Sequence, residues 1–135
     1  MTLTIASVNV NGIRAACKQR NENNPGMNAW LAETSADIVL MQEVRATPEQ
    51  AEKALAPALE MGWHLALADA AAKGRAGVGI LSRTPLADVE VGFGSFSDAG
   101  RWIAATTRDI RVASLYLPSG DTLSLIHISE PTRLL

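Results

Sequence analysis

Two short apolar runs near the start of the chain, each closed by a polar group and a turn, constrain the fold most. The first run covers residues 3–10 and contains Asn9, and the second covers residues 38–42 and leads directly into Glu43. Largely apolar runs of this kind are typical of strands buried on both faces of a helix-covered sheet. In such a sheet, ligands bind just outside the carboxyl ends of the strands. The two runs therefore predict an α/β fold with Asn9 and Glu43 at a site.

The remaining sequence predicts helices that give way to strands. A short helix is expected around residues 27–32, and a second begins at Thr47, with Pro48 at its first position and Gln50 placed for a capping box. Pro57 should bend or end that second helix. The other apolar stretches are predicted strands at residues 63–68, 78–82, 89–91, 102–106 and 110–117. This order indicates a layered α/β fold with a mixed sheet.

Size and composition narrow the class of protein. With 135 residues, 47% of them hydrophobic and 19% charged, the chain is expected to form one globular domain. A net charge of −2 argues against a chain that is basic overall, as many DNA-binding proteins are. Nine of the 12 basic residues are arginine, however, and arginine suits contacts to phosphate. Cys17 is the single cysteine, and no apolar run has the length of a membrane span. We therefore expect a cytoplasmic protein without membrane contact.

Asn9 and Glu43 are the strongest candidates for a functional role. Asn9 and Asn11 lie two residues apart and would share one strand face, where an amide offers an oxygen to a cation and two donors to a phosphate. Asn11 is better explained by the Asn-Gly turn, whereas Asn9 has no turn role. A carboxylate after a buried run, such as Glu43, needs a partner or a metal such as Mg²⁺. The competing interpretation is a solvated loop carboxylate paired with Arg45.

Further candidates lie beside other turns. Tyr116, the single tyrosine, ends an apolar strand, and its phenol could donate to a phosphate oxygen or simply pack there. The glycine-rich stretch 74–79 precedes a strand rather than a helix, which excludes a dinucleotide-binding or P-loop fingerprint. Four arginines beside predicted loops could together form a phosphate-binding rim, although each alone resembles an ordinary surface residue. They are Arg14, Arg45, Arg75 and Arg101.

Four segments of the sequence resemble the exonuclease III family of apurinic/apyrimidinic endonucleases, within the endonuclease/exonuclease/phosphatase superfamily. They follow the family's order and are residues 7–16, 42–45, 77–83 and 116–120. The Asn-Gly-Ile-Arg extension of the first segment and the Tyr-x-Pro-x-Gly turn of the last are similar to the DNA-repair branch in particular. The resemblance extends over residues 3–122.

The resemblance implies a four-layer α/β sandwich, of which residues 1–122 would form roughly the N-terminal half. It implies Mg²⁺-dependent hydrolysis of duplex DNA, 5′ to abasic sites and from 3′ ends, with Mn²⁺ as an alternative metal. Glu43 resembles the metal carboxylate with Asn9 beside it, and Tyr116 resembles the tyrosine that faces the scissile phosphate. The resemblance also implies that four arginines contact the DNA, namely Arg14, Arg45, Arg75 and Arg101. A monomer is expected.

Part of that family pattern has no counterpart in this sequence. A Gly-Asp-x-Asn segment and a later Ser-Asp-His segment are expected, and the sequence contains neither Asp-x-Asn nor Asp-His. His64 lies mid-strand and His127 in the tail, so no general base is identified. The tail, residues 123–135, resembles translated sequencing adapter and is expected to be non-native. The alternative is a natural short protein with an unusual last strand. We expect the chain itself to be an inactive fragment.

Two other functions fit the same residues. A phosphatase of the same superfamily, acting on phosphoinositides or phospholipids, is compatible with Asn9 and Glu43, but the Asn-Gly-Ile-Arg segment argues against it. A module that binds DNA without cutting it would show Mg²⁺-independent binding with a steep salt dependence. Four arginines against a net charge of −2 make this third interpretation weak.

Overall fold

The computed structural model describes residues 2–68, 77–92 and 100–117. In these ranges the strands are β1 Ile5–Asn9, β2 Ile38–Gln42, β3 His64–Ala68, β4 Val78–Ser82, β5 Ala87–Val91, β6 Trp102–Thr107 and β7 Ile110–Leu115. The helices are α1 Ile13–Ala16, α2 Met27–Glu33, α3 Pro48–Ala54 and α4 Ala56–Glu60. Every predicted strand is present, with ends that differ from the predicted ones by at most two residues. Arg75 and the predicted tail, residues 123–135, lie outside the described residues.

The described strands form two sheets. The first has the order β1-β2-β4-β3 and is mixed, because β1 and β2 run parallel whereas β4 pairs antiparallel with both β2 and β3. The second has the order β5-β6-β7 and is antiparallel throughout. In the parallel pair, Asn9 lies opposite Gln42, so β1 and β2 end level with each other. The two loops that carry the predicted site therefore leave the same end of the first sheet.

Two apolar clusters hold the described residues in three layers. The cluster between the helices and the first sheet includes the fully buried Ile13, Leu31, Met41 and Leu55. The cluster between the two sheets includes Ile38, Ile80, Ile103 and Val112. Helices cover one face of β2 and β4 and the second sheet covers the other, which explains why these strands are apolar along their length. The prediction of a layered α/β fold with a mixed sheet is confirmed.

Strand β1 departs from the prediction of a strand buried on both faces. Its residues alternate between exposed and half-buried, and Ile5 is 45% exposed. The reason is its position, because within the described ranges β1 pairs with β2 alone and forms an edge of the sheet. Ala6 and Val8 pack towards the helices. Since side chains alternate along a strand, Ser7 and Asn9 face the other way, towards the second sheet.

The helices follow their sequence signals with one exception. Thr47 Oγ1 accepts from the Gln50 backbone N–H at 3.2 Å, and Gln50 Oε1 accepts from the Thr47 N–H at 3.0 Å, which completes the predicted capping box. Pro57 divides the predicted helix into α3 and α4, with the break at Leu55. Helix α1 was not predicted, because it starts after Gly12 without a side-chain cap. None of the helices in the described ranges is long and apolar enough to span a membrane.

Candidate active site

The candidate site lies where β1 and β2 end, and backbone hydrogen bonds tie the two loops together there. The Val10 N–H donates to the Gln42 carbonyl at 3.0 Å, which extends the parallel ladder past β1. The Gly12 N–H then donates to the Glu43 carbonyl at 2.8 Å, and the Ile13 N–H to the Val44 carbonyl at 2.9 Å. Because each loop hydrogen-bonds to the other, the side chains on both are held at fixed relative positions.

The loops bend through left-handed backbone conformations that side chains rarely adopt. Asn11 has φ 47°, Glu43 has φ 53° and Arg45 has φ 51°. A non-glycine residue in this region costs of order 1–3 kcal/mol, and asparagine tolerates it best. Val44, between the two charged residues, is 1% exposed, and its N–H donates to the Gly77 carbonyl at 3.0 Å. Buried Val44 anchors the turn while Glu43 and Arg45 stay near the surface, where they form an ion pair.

Glu43 is the centre of the site. Its Oε2 accepts from Asn9 Nδ2, and its Oε1 accepts from Arg45 Nη2. Tyr116 Oη lies 3.5 Å from Oε1, at the long limit of a hydrogen bond. The Asn9 hydrogen bond, followed by that from Arg45, lowers the pKa of the Glu43 carboxyl below its ordinary value of 4.5. The structure therefore brings together Asn9, Glu43 and Tyr116, the predicted catalytic residues, around a carboxylate that stays ionised at neutral pH.

Asn9 uses both ends of its amide within the site. Its Nδ2 donates to Glu43, and its Oδ1 accepts the Asn11 N–H at 3.0 Å. This arrangement orients the carboxylate and fixes the turn after β1. The predicted role of Asn9 as a direct metal ligand stays a prediction. Asn11 belongs to the turn, in line with the simpler interpretation of the Asn-Gly pair.

The residues present fit a magnesium ion held by a single protein carboxylate. Mg²⁺ in proteins commonly takes one or two carboxylates and completes its octahedron with waters and substrate phosphate. Glu43 supplies an ionised carboxylate whose side chain is 14% exposed. Within the described ranges no three His, Cys, Asp or Glu side chains cluster together. Those ranges therefore offer a one-carboxylate site for a hard cation rather than a multi-ligand cage.

A basic groove adjoins the site. It has a volume of about 850 Å³ and runs between α1 and α3. Among the residues that the structure describes, no acidic one lines it, and its cationic side chains are Arg14, Lys18, Arg45 and Lys53. Lys18 and Lys53 were not predicted, because each is an ordinary polar position in the sequence and only the packing of α3 beside α1 brings them to one groove.

The predicted arginines have different positions. Arg14 Nη2 lies 3.4 Å from the Arg45 carbonyl, so these two join the site and the groove. Arg101 lies next to β6, and its carbonyl accepts the Tyr116 N–H at 2.9 Å, which places its backbone beside the tyrosine.

Cys17 also lines the groove, but burial raises the pKa of its thiol to about 11, so it is not a nucleophile at neutral pH.

A polar bridge beneath the site was also missed by sequence reasoning. Gln42 Nε2 lies 3.2 Å from Ser7 Oγ on β1 and 3.1 Å from Ser114 Oγ on β7. Ser114 Oγ in turn donates to the Met41 carbonyl at 2.7 Å. The available signal was positional, because Ser7 and Ser114 each stand two residues before a predicted site residue on a mainly apolar strand.

The chain matches, over residues 6–123, the model of the Endonuclease/Exonuclease/phosphatase family. An AP endonuclease from Archaeoglobus fulgidus is 31% identical with a TM-score of 0.73, and the match covers 93% of this chain and 46% of that one. A 3′-5′ exonuclease (NExo) from Neisseria meningitidis is 28% identical with a TM-score of 0.72, covering 94% and 46%.

A further similar structure contains nucleic acid. It is a variant of the 3′ phosphatase NExo from Neisseria bound to product DNA hairpin, 27% identical with a TM-score of 0.73, and the match covers 93% of this chain and 47% of that one. No curated protein sequence matches the chain. The chain thus spans about half the length of the solved structures that it resembles.

Proposed function

Because the chain belongs to the Endonuclease/Exonuclease/phosphatase family, whose members are hydrolases, we propose that its site serves the Mg²⁺-dependent hydrolysis of DNA phosphodiester bonds, 5′ to abasic sites and at 3′ ends. The fold supports this, since the layers described above match the family's α/β sandwich and make up about half of it. One observation carries the proposal: Glu43 is held ionised between Asn9, Arg45 and Tyr116, beside a groove whose charged side chains, among the described residues, are all basic.

Each residue of the site has a chemical role in this proposal. Glu43 would hold the metal, which when bound neutralises charge that develops on the phosphoryl oxygens. Asn9 orients the Glu43 carboxylate, and Arg45 adds a fixed positive charge beside it. Tyr116 donates only a long hydrogen bond to Glu43, so its phenol can turn to a phosphate oxygen and stabilise the developing charge.

The basic groove would hold the DNA backbone next to the reacting phosphate. Arg14, Lys18 and Lys53 lie along its walls, with Arg45 at the end nearest Glu43. Lysine and arginine contacts to phosphates supply affinity and position the duplex without reading its sequence. Arg75 and Arg101 remain proposed DNA contacts on the strength of the sequence. A local patch of this kind reconciles DNA binding with a net charge of −2.

The 135-residue chain is proposed to hold part of the catalytic machinery. Hydrolysis needs a group that takes a proton from the attacking water. Within the described ranges, the groups that touch Glu43 are an amide, a guanidinium and a phenol, none of which is a base at neutral pH. We therefore expect the chain alone to bind abasic duplex without cleaving it.

Incubation of the 135-residue chain with abasic duplex and Mg²⁺ tests this proposal. The expected result is no incision above the rate of spontaneous strand cleavage, measured on a denaturing gel. Incision that disappears in Glu43→Ala would overturn the expected inactivity and would support the nuclease assignment directly. Arg111→Gln, a change on the second sheet, is the control for nonspecific effects of substitution.

A competition experiment tests the substrate class. Labelled abasic duplex bound to the chain is challenged with unlabelled duplex or with phosphoinositide vesicles at equal phosphate concentration. We expect duplex to compete and the vesicles to have little effect. Preferential displacement by phosphoinositide would replace the nuclease proposal with the phosphatase alternative.

A further inference from the structure

Tyr116 and Glu43 come from different sheets, so their separation depends on how the sheets are fixed to each other. Tyr116 follows β7 of the second sheet, and Glu43 follows β2 of the first. Their oxygens lie 3.5 Å apart, at the limit where a small separation of the sheets removes the hydrogen bond. Some contact near this point must therefore hold β7 against β2.

Most of the inter-sheet layer is poorly suited to that task. The side chains that pack there, such as Ile38, Ile80 and Ile103, make apolar contacts that have no preferred direction. Such contacts hold the sheets together but favour no particular distance or angle between two given atoms. Hydrogen bonds restrict both distance and angle, so a polar bridge fixes the position more narrowly.

Ser114 provides such a bridge from β7 to β2. Ser114 is 1% exposed. Its hydroxyl group both donates and accepts a hydrogen bond, and both partners lie on the first sheet. The hydroxyl donates to the Met41 carbonyl at 2.7 Å and accepts from Gln42 Nε2 at 3.1 Å. The same Gln42 amide reaches Ser7 on β1 at 3.2 Å, so this half-buried amide connects three strands.

The bridge lies directly beneath the site. Side chains two residues apart on a strand share a face, so Ser7 underlies Asn9 and Ser114 underlies Tyr116. Gln42 immediately precedes Glu43. We propose that Ser114, through Gln42 and the Met41 carbonyl, is a positioning residue that sets the distance between the Tyr116 phenol and the Glu43 carboxylate. The inference concerns the site of the proposed function, but its test measures no hydrolysis, so each can fail without the other.

The test uses the single tyrosine of the chain as its own reporter. The intensity ratio of the tyrosine Fermi doublet in the Raman spectrum distinguishes a phenol that donates to a carboxylate from one exposed to water. We expect the donor ratio in the wild-type chain and in Ser114→Thr, which keeps the hydroxyl. In Ser114→Ala, and likewise in Glu43→Gln, the ratio should shift to that of a water-exposed phenol.

Ser82→Ala is the matched control, because Ser82 is also a fully buried serine whose hydroxyl reaches the second sheet, at Thr107. It should destabilise the fold to a similar extent without changing the tyrosine signal. A water-like ratio in the wild type, an unchanged ratio in Ser114→Ala, or an equal shift in Ser82→Ala would each overturn the proposal. If Ser114→Ala does not fold, Gln42→Met decides, since it removes the other half of the bridge and must shift the ratio in the same direction.

Discussion

At the scale of single residues, the site depends on a charge that its neighbours hold in place. Glu43 sits in a left-handed backbone conformation and accepts hydrogen bonds from Asn9 and Arg45. Those hydrogen bonds favour the ionised carboxylate and lower its pKa. Backbone strain at a residue with this many partners is typical of sites whose geometry is imposed by the surrounding structure.

The lowered pKa of Glu43 predicts how stability depends on pH. The pKa of Glu43 is lower in the folded chain than its ordinary 4.5, so the stability it contributes is present above 4.5 and is lost as pH falls through the folded-state value. The free energy of unfolding of the wild type relative to Glu43→Gln should therefore be greater at about pH 7 than at about pH 3. Urea unfolding at the two pH values measures this difference.

Asn9→Ala provides the control for the pH experiment. Because the Asn9 hydrogen bond is the largest cause of the shift, its removal should raise the pKa of Glu43 towards 4.5. Titration of the Glu43 carboxyl carbon by NMR reads this pKa directly. A Glu43 pKa that is unchanged in Asn9→Ala would show that the amide does not stabilise the carboxylate.

At the scale of elements, strand ends were easier to predict than the contacts between strands. Asn9, Glu43 and Tyr116 could be found because each is a polar group at the end of an apolar run. Lys53 has no signal in the sequence and Ser114 has only a positional one, because their roles arise from the packing of α3 beside α1 and of β7 on β2, which one sequence does not specify. The break between α3 and α4 was predictable because proline acts locally.

The start of α2 depends on a glycine that no other residue can replace without strain. Gly26, its N-cap, has φ 98° and ψ 168°, a region that is essentially restricted to glycine. A Cβ there would lie 2.9 Å from the Cys17 carbonyl oxygen. Gly26→Ala should therefore lower the free energy of unfolding by roughly 2–4 kcal/mol, from backbone strain and the clash together.

Gly62→Ala separates these two effects. Gly62 also has a positive φ, of 106°, but a Cβ there meets nothing within 4 Å. Its substitution should cost only the conformational strain, roughly 1–2 kcal/mol. Urea unfolding of both variants tests the difference, and equal losses would show that the contact with Cys17 is relieved by local movement.

At the scale of the whole molecule, charge is distributed unevenly. The net charge is −2, yet within the described ranges four cationic side chains and no acidic one line the groove beside Glu43. Composition alone suggested weak DNA binding, because it averages over the surface. The binding of a polyanion depends on the local potential, which the fold creates by bringing α1 and α3 together.

This distribution predicts the salt dependence of DNA binding. Each phosphate contact that is removed should reduce the slope of log K against log salt by about 0.9. Lys18→Ala and Lys53→Ala should each reduce the slope by this amount in a fluorescence anisotropy titration of labelled duplex. Arg111→Gln removes one positive charge from the second sheet and should leave the slope unchanged. Equal effects at all three positions would mean that the groove is not the binding surface.

The distance along the chain between the two halves of the site has a consequence during synthesis. Tyr116 follows Glu43 by 73 residues, so at about 5–20 residues per second the tyrosine leaves the ribosome roughly 4–15 s after the carboxylate. Asn9 and Arg45 can reach Glu43 long before that moment. During that time the face of the first sheet that includes Ile38 and Ile80 is not yet covered by the strands of the second sheet. That apolar surface stays uncovered throughout the interval, and the contact between Tyr116 and Glu43 marks its end.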